Sequence, residues 1–457
     1  MSSSSGVVWF RRDLRLSDNP AWAAATSTHR AVTALYVLDD RLLATAGPAR
    51  RTQHLAELHA LDDSLRAHGG RLMVRRGDPV EVVPEVVAAL GAKGVHWNAD
   101  VTPAAQRRDA AVRAALQVEP DTWWGHLVLP PGSVLTGEGR VPRVFGAFHK
   151  RWAATAWPAW PEPGDAELAD DPGDGLDPLG SEPLRAAGEA AAQDTLARFV
   201  DAEVEDYPEG RDQVWRDATS QLSVALRFGT VSPRQVVEAA GTGSAARDAF
   251  TRQLAWRDWY AHLLHERPAM ASAAIRPEYD RIRWRDDPDG LEAWKEGRTG
   301  FPLVDAGMRE LATTGAMHNR VRMVTASFLV KDLLIDWREG ERHFRKLLVD
   351  ADVPQNVGNW QWVAGTGPDA APFFRVFNPV TQSRQHDPNG EYLRRWVPEL
   401  AALDDRAIHA PWEAGPLEVA AAGVELGRDY PLPIVDHADA RRRAIAAYEA
   451  AREGAAR

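Results

Sequence analysis

The 457-residue chain contains no cysteine. That absence removes a thiolate nucleophile, a disulfide, zinc held by sulfur and any iron–sulfur cluster, since each needs sulfur from the protein. Redox chemistry must therefore come from a bound group. No uncharged apolar run approaches the ~18 residues of a spanning helix. The start, MSSSSGVVWFRRDLRL, also lacks the basic-then-apolar pattern of a secretory leader. A cytoplasmic protein with no membrane partner is expected. Tyrosine is scarce, at 7, whereas tryptophan reaches 18. Basic charge is in deficit as well: 54 Lys and Arg against 65 Asp and Glu leave a formal net charge of −11. On its face that disfavours a polyanionic partner.

The deficit is local. Residues 162–206 carry 14 acidic side chains against two arginines, which accounts for the whole excess and leaves the rest of the chain slightly positive. A nucleic-acid partner is not excluded by a local acidic segment, because binding needs only a local positive field.

Short apolar runs at 7–10, 32–38, 72–74, 95–97 and 127–129 alternate with helical patterns such as 51–68 and 79–90. That rhythm predicts an α/β domain over residues 1–130 with a parallel sheet covered by helices. No GxGxxG follows the first strand, so the common dinucleotide fingerprint is missing. Residues 131–206 read as a long acidic connector, and 207–457 as an all-α domain. No period of 20–50 residues recurs, which argues against a solenoid.

Four clusters stand out. Thr219, Ser220, Gln221, Leu222 and Ser223 open an apolar helical stretch, where hydroxyls either cap free N–H groups or, with them, hold a phosphate. Trp256, Trp259 and Tyr260 share one helix face, with Arg257 and Asp258 between them and Gln253 three residues before Trp256. Such a stripe is usually core, but the interleaved charges suit a mixed pocket. Asn319, Arg320, Arg322 and Met323 run into an apolar helix, where buried charge demands partners. Asp350 and Asp352 precede Asn356, Trp360 and Trp362. Amides and tryptophans stand where a metal site would want more carboxylates or histidines, so a planar, polar-edged ligand fits better and no metal is expected.

The segments WFRRDLRLSDNPA, TSQLS, LAWRDWY, GFPLVDAGMREL, MHNRVRM, ASFLVKDLLIDWREGERHF, NWQW and NPVTQ together resemble the DNA photolyase/cryptochrome family from about residue 7 to about residue 435. They look nearest to the class I cyclobutane pyrimidine dimer photolyases of bacteria. The resemblance implies an α/β antenna domain and a helical domain holding FAD, active in its reduced anionic form. Tyr207, Thr219, Ser220, Gln221, Leu222, Ser223, Phe250, Arg257, Arg322, Asp350, Ala351 and Asp352 match the family's FAD contacts, with Arg322 and Asp350 as an ion pair beside the isoalloxazine. Asn356 matches the residue facing the flavin's central ring nitrogen. Plant cryptochromes carry Asp there, so the amide favours repair.

For substrate, the resemblance implies UV-damaged DNA with pyrimidine dimers, handled by a monomer. Trp256 and Trp362 match the aromatic walls that receive the flipped-out dimer, where stacking on aromatic faces replaces the lost neighbours. Asn319 and Met323 match dimer contacts; the (6-4) photolyases carry histidines at both places. Gln253 departs from the family's Glu, keeping hydrogen bonds but no charge. Arg211, Arg320 and Gln382 match contacts to the DNA backbone or near the lesion. Trp360, Trp337 and Trp284 match the chain that passes electrons to oxidised flavin. The segment GPARRTQHL favours 8-hydroxy-5-deazaflavin over 5,10-methenyltetrahydrofolate as antenna chromophore. The alternatives are a cryptochrome-type photoreceptor without repair activity and a (6-4) photolyase.

Overall fold

A computed structural model describes residues 4–370 and 372–453 of the protein. The chain forms two compact units: Met1–Glu205 with Ser220–Pro268, and Asp206–Thr219 with Ala269–Arg457.

The first unit is built on a parallel sheet with strand order β3-β2-β1-β4-β5. The strands are β1 Ser5–Phe10, β2 Ala31–Leu38, β3 Leu72–Arg76, β4 Gly94–Asn98 and β5 Asp121–Trp123. In the β1–β2 and β1–β4 ladders, Val8 faces Ala34 and His96. The three central strands are near-continuous apolar runs because helices cover both faces, the usual condition of a parallel sheet. Val7, Trp9, Leu35, Val37, Met73, Val95 and Trp97 form one core cluster with the helix Pro79–Ala89. That helix starts sharply: Asp78 accepts a hydrogen bond from the Val80 N–H, and proline occupies the first turn.

The fifth strand differs from expectation. Residues 127–129 are buried but form no strand, and β5 lies upstream at Asp121–Trp123. The N–H groups of Val128 and Leu129 donate instead to the carboxylate of Asp258, at 3.3 and 3.0 Å. A hydrophobic run predicts burial; where its backbone donors go is a tertiary matter.

The expected connector is also corrected. Residues 162–206 are fastened onto the sheet unit and do not stand free. A two-residue strand β6, Glu167–Leu168, pairs with β2. Gln53 clamps the backbone of Arg185 in both directions, accepting from its N–H at 2.9 Å and donating to its carbonyl at 3.0 Å. Glu57 accepts from the Gly188 N–H at 2.7 Å, and Glu189 from the Leu16 N–H at 2.9 Å. Composition revealed the acidity of the segment but not its partners. After Thr219 the chain rejoins the first unit and supplies the long helix Ala245–Glu266.

The second unit is helical. Its central helices are Pro302–Thr314, Asn319–Ser327, Trp337–Leu347, Val353–Ala364 and Pro379–His386, and the final helix is His437–Glu453. Gly315 and Gly365 end two of them with φ of 76° and 78°, left-handed positions that glycine takes at no steric cost. The final helix presses Tyr448 against Lys331, whose amine lies 3.6 Å above the ring and donates to the carbonyls of Ala364 and Phe373. No helix among the described residues is long and apolar enough to cross a membrane.

Asp258 is fully buried and takes three hydrogen bonds, the third from Trp152 Nε1 at 2.9 Å. Asp258→Ala leaves those three donors without a partner and is expected to cost about 3–5 kcal/mol. Exposed Asp248→Ala on the same helix should change stability by less than about 0.5 kcal/mol. The two denaturation midpoints, compared with that of the parent, check both values.

Candidate functional site

In the first unit the long helix organises the candidate residues. Trp259 and Tyr260 are core, while Trp256 is half-buried. The Trp256 ring stacks on Phe145, centroids 3.8 Å apart and planes within 15°, and its edge meets Trp259 at 5.1 Å. Phe145 begins the helix Phe145–Ala154, whose buried face is Phe145, Phe148 and Trp152. The motif reading missed Phe145, because an apolar residue at helical spacing carries no signal beyond core.

Arg257 donates to the carbonyl of His126 at 2.5 Å and to that of Leu226 at 3.3 Å, bridging a loop to the short helix Ser223–Phe228. Gln253 donates to the Ala249 carbonyl in its own helix at 3.2 Å. Its side-chain oxygen is therefore directed outward from that bond. Phe250 is buried against Phe199, ring centroids 4.7 Å apart.

The N-cap position of the helix Ser223–Phe228 is Leu222, whose apolar side chain makes no cap hydrogen bond. Gln221 holds a φ of 55°, an unusual left-handed position for a residue with a side chain, and its amide is bonded by Arg185. A hydroxyl-rich turn held in this way suits an anionic ligand group.

In the second unit, Arg322 and Asp350 form a two-pronged pair, 3.2 Å between Nη1 and Oδ1 and 2.9 Å between Nη2 and Oδ2. Nε of Arg322 donates to the Met317 carbonyl at 2.7 Å, which fixes the guanidinium plane. Asp350, Ala351 and Asp352 form the turn between the helices Trp337–Leu347 and Val353–Ala364.

Asn356, on the second of these, donates Nδ2 to both the carbonyl and the carboxylate of Glu341, at 3.0 and 2.9 Å. This settles the amide's orientation: the N–H₂ end is used, and the carbonyl oxygen is the end left to meet a ligand. Glu341 is buried, and burial pushes its carboxyl above the usual range. It sits one helical turn after Trp337, and nothing in the motif pattern marks it.

Trp360 and Trp337 are almost wholly buried, whereas Trp284 is half-buried beside Tyr448 at 6.3 Å. Trp360 packs edge-on against Phe344 and Trp294, at 5.0 and 6.2 Å. Arg338 covers the face of Trp337 at 4.8 Å.

At the start of the helix Asn319–Ser327, exposed Asn319 reaches Met323 at 3.8 Å. Arg320 pairs with Asp212 at 2.8 Å, while Arg211 lies 5.7 Å from the Tyr207 ring. Three buried polar atoms here have no partner: His318 Nε2, Arg320 Nε and Gln382 Oε1. Trp362 is half-buried. Among the described residues no cluster of three or more His, Asp or Glu could hold a metal ion.

Comparison with known proteins bears on these arrangements. Residues 6–164 match the family model described as DNA photolyase, and residues 250–450 that of the FAD binding domain of DNA photolyase. A curated relative, the deoxyribodipyrimidine photo-lyase of Streptomyces griseus, is 43% identical over 96% of this chain and 98% of its own length. A bacterial class III photolyase from Agrobacterium tumefaciens superimposes with a TM-score of 0.91 at 39% identity, covering 99% of this chain and 98% of that one. An archaeal photolyase from Sulfolobus tokodaii, solved with two FAD molecules, gives 0.84 at 31% identity, covering 97% and 99%.

The contact between Gly340 and Trp360 yields a test whose sign is decided by geometry. Replacing glycine by alanine inside a helix normally stabilises by up to about 1 kcal/mol. At Gly340, however, a Cβ would lie 2.1 Å from Cη2 of Trp360. Gly340→Ala is therefore expected to lower the thermal midpoint and to change tryptophan fluorescence. A raised midpoint would show that the ring moves aside at little cost.

Proposed function

Because the chain belongs to the DNA photolyase family, we propose that it works as a deoxyribodipyrimidine photo-lyase, repairing cyclobutane pyrimidine dimers in DNA with light and a bound FAD. The observation that carries this reading is the near full-length identity to a relative of that name. Bound in reduced form, FAD supplies the electron that light sends to the dimer and receives it back, so no net redox change occurs.

The residues themselves fit this role. Arg322 with Asp350 offers a fixed, paired charge to a polar heterocycle edge. Asn356 presents a carbonyl oxygen and no ionisable proton, because Glu341 holds its N–H₂ end. An amide in that place leaves a reduced anionic ring without a ready acid. The hydroxyl-rich turn at 219–223 is assigned to the diphosphate, with Phe250 and Arg257 as further contacts. Tyr207, Ala351 and Asp352 complete the set.

For the lesion, Trp256 and Trp362 each offer an aromatic face to an unstacked base, worth about 1–3 kcal/mol per base. Asn319 and Met323 stand at the dimer and Arg211, Arg320, Gln253 and Gln382 around it; the unpartnered atoms of Arg320 and Gln382 support that assignment. Trp360, Trp337 and Trp284 carry electrons to oxidised flavin, and their passage from interior to half-exposed positions supports it.

The antenna group is read as 8-hydroxy-5-deazaflavin. The segment 47–55 opens the helix Pro48–Ala67, and ligands of parallel sheets sit outside the carboxyl ends of the strands where the order reverses. At that end Arg11 and Arg108 lie 4.6 and 4.9 Å from Trp9.

Reduced protein, incubated under near-ultraviolet light with oligonucleotides carrying each lesion, should remove cyclobutane dimers and leave (6-4) products. Loss of neither lesion, with flavin bound and reduced, would point to a photoreceptor instead. In the same assay, Trp337→Phe should slow photoreduction of oxidised flavin while repair by chemically reduced protein stays nearly intact. Equal loss of both would make that tryptophan a packing residue only.

A further inference from the structure

A basic surface borders the Phe145–Trp256 stack. Arg252 lies one helical turn before Trp256 on the long helix and is exposed. Its guanidinium sits 4.9 Å from the Phe145 centroid, so one aromatic ring supports both Trp256 and Arg252. Nη1 of Arg252 donates to Nδ1 of His149 at 3.4 Å. His149 itself stacks on Phe145 at 5.8 Å. Burial, and then the charge of Arg252, hold the imidazole's pKa below its ordinary value, which keeps Nδ1 free to accept.

Arg143 and Lys150, exposed on the same segment, add two more positive charges. None of Arg143, Lys150 and Arg252 is ion-paired among the described residues, whereas Arg113, Arg198, Arg247 and Arg267 each pair with a glutamate. Asp248, exposed and one turn before Arg252, is the acid that bears on His149, and it pairs with neither. An unpaired guanidinium held over a ring and tethered by a neutral histidine is preorganised. Little side-chain freedom is lost when it takes a phosphate.

We propose that Arg252, positioned by Phe145 and His149, binds a backbone phosphate of the DNA strand that carries the base received at Trp256, with Arg143 and Lys150 extending the same track. The proposal rests on the repair reading above, because it takes Trp256 as a base-stacking residue. It adds a strand contact to the expected contacts, one that reads charge and not lesion chemistry.

The test measures binding of the flavin-loaded full chain to matched oligonucleotides with and without a cyclobutane dimer, at several salt concentrations. Arg252→Ala should weaken both affinities by the same factor, about tenfold near 0.1 M salt, and lower the slope of log K against log salt by about one. Arg252→Lys should keep the slope and lose part of the affinity. His149→Ala should lower affinity less than Arg252→Ala with the slope unchanged, as a positioning role requires. An unchanged slope in Arg252→Ala, with its flavin absorbance and unfolding midpoint like the parent's, overturns the phosphate contact. A loss confined to damaged DNA overturns it too, by placing Arg252 on the lesion. If the parent shows no preference for damaged DNA, the repair reading itself fails, a result distinct from either.

Discussion

A carboxylate without solvent must find every donor it needs, and Asp258 is the place where the first unit meets that demand. The residue is fully buried in the middle of the long helix, and burial pushes its carboxyl above the ordinary range. Two backbone N–H groups from 128–129 and the Trp152 indole satisfy it, while His262 holds the Leu129 carbonyl at 2.9 Å. The loop that links the sheet to the helix Phe145–Ala154 is thus tied at both its donors and its acceptor. Tying Trp152 orients that helix, which brings Phe145 under Trp256. The aromatic face that the repair reading needs sits two residues before this buried carboxylate on the same helix.

The second unit reaches precision by a different route. Two successive helices, Trp337–Leu347 and Val353–Ala364, meet where Gly340 has no side chain, and Trp360 fills the space. That close approach brings Glu341 within reach of Asn356. One packing choice thereby sets both a buried tryptophan and the orientation of an amide whose two ends differ chemically. Glycine is needed here for the approach of a neighbouring ring, since its φ is helical.

These couplings explain which features were legible in the sequence. The parallel sheet was visible because burial on both faces makes strands β1, β2 and β4 continuous apolar runs. The same logic failed at 127–129, where an equally apolar run satisfies its backbone through Asp258. The acidic segment 162–206 was legible as charge, but Glu189 and the Gln53 and Glu57 clamps act over long sequence separations that composition does not encode. The aromatic and polar residues proposed to meet ligands are chemically conspicuous and sit in recognisable motifs. Phe145, Glu341 and Asp212 were invisible, because each acts on another side chain and belongs to a residue type that is common in cores or on surfaces.

The charge of the chain follows the same pattern. A formal −11 would oppose a polyanion if charges were spread evenly over the surface. They are not: Asp62, Asp109, Asp350 and Asp212 are each engaged by an arginine at 3.3 Å or less. Paired charges project little field, so the potential a strand of DNA meets depends on where the unpaired cations lie. In the first unit the unpaired cations include Arg143, Lys150 and Arg252 beside the half-buried Trp256. The acids of 162–206 are partly occupied in fastening their own segment. Net charge, a property of the whole sequence, is therefore a poor guide to partners in a protein whose ion pairs are this numerous. The distribution of the unpaired cations is the quantity that matters, and it becomes readable only once the fold has decided which pairs form.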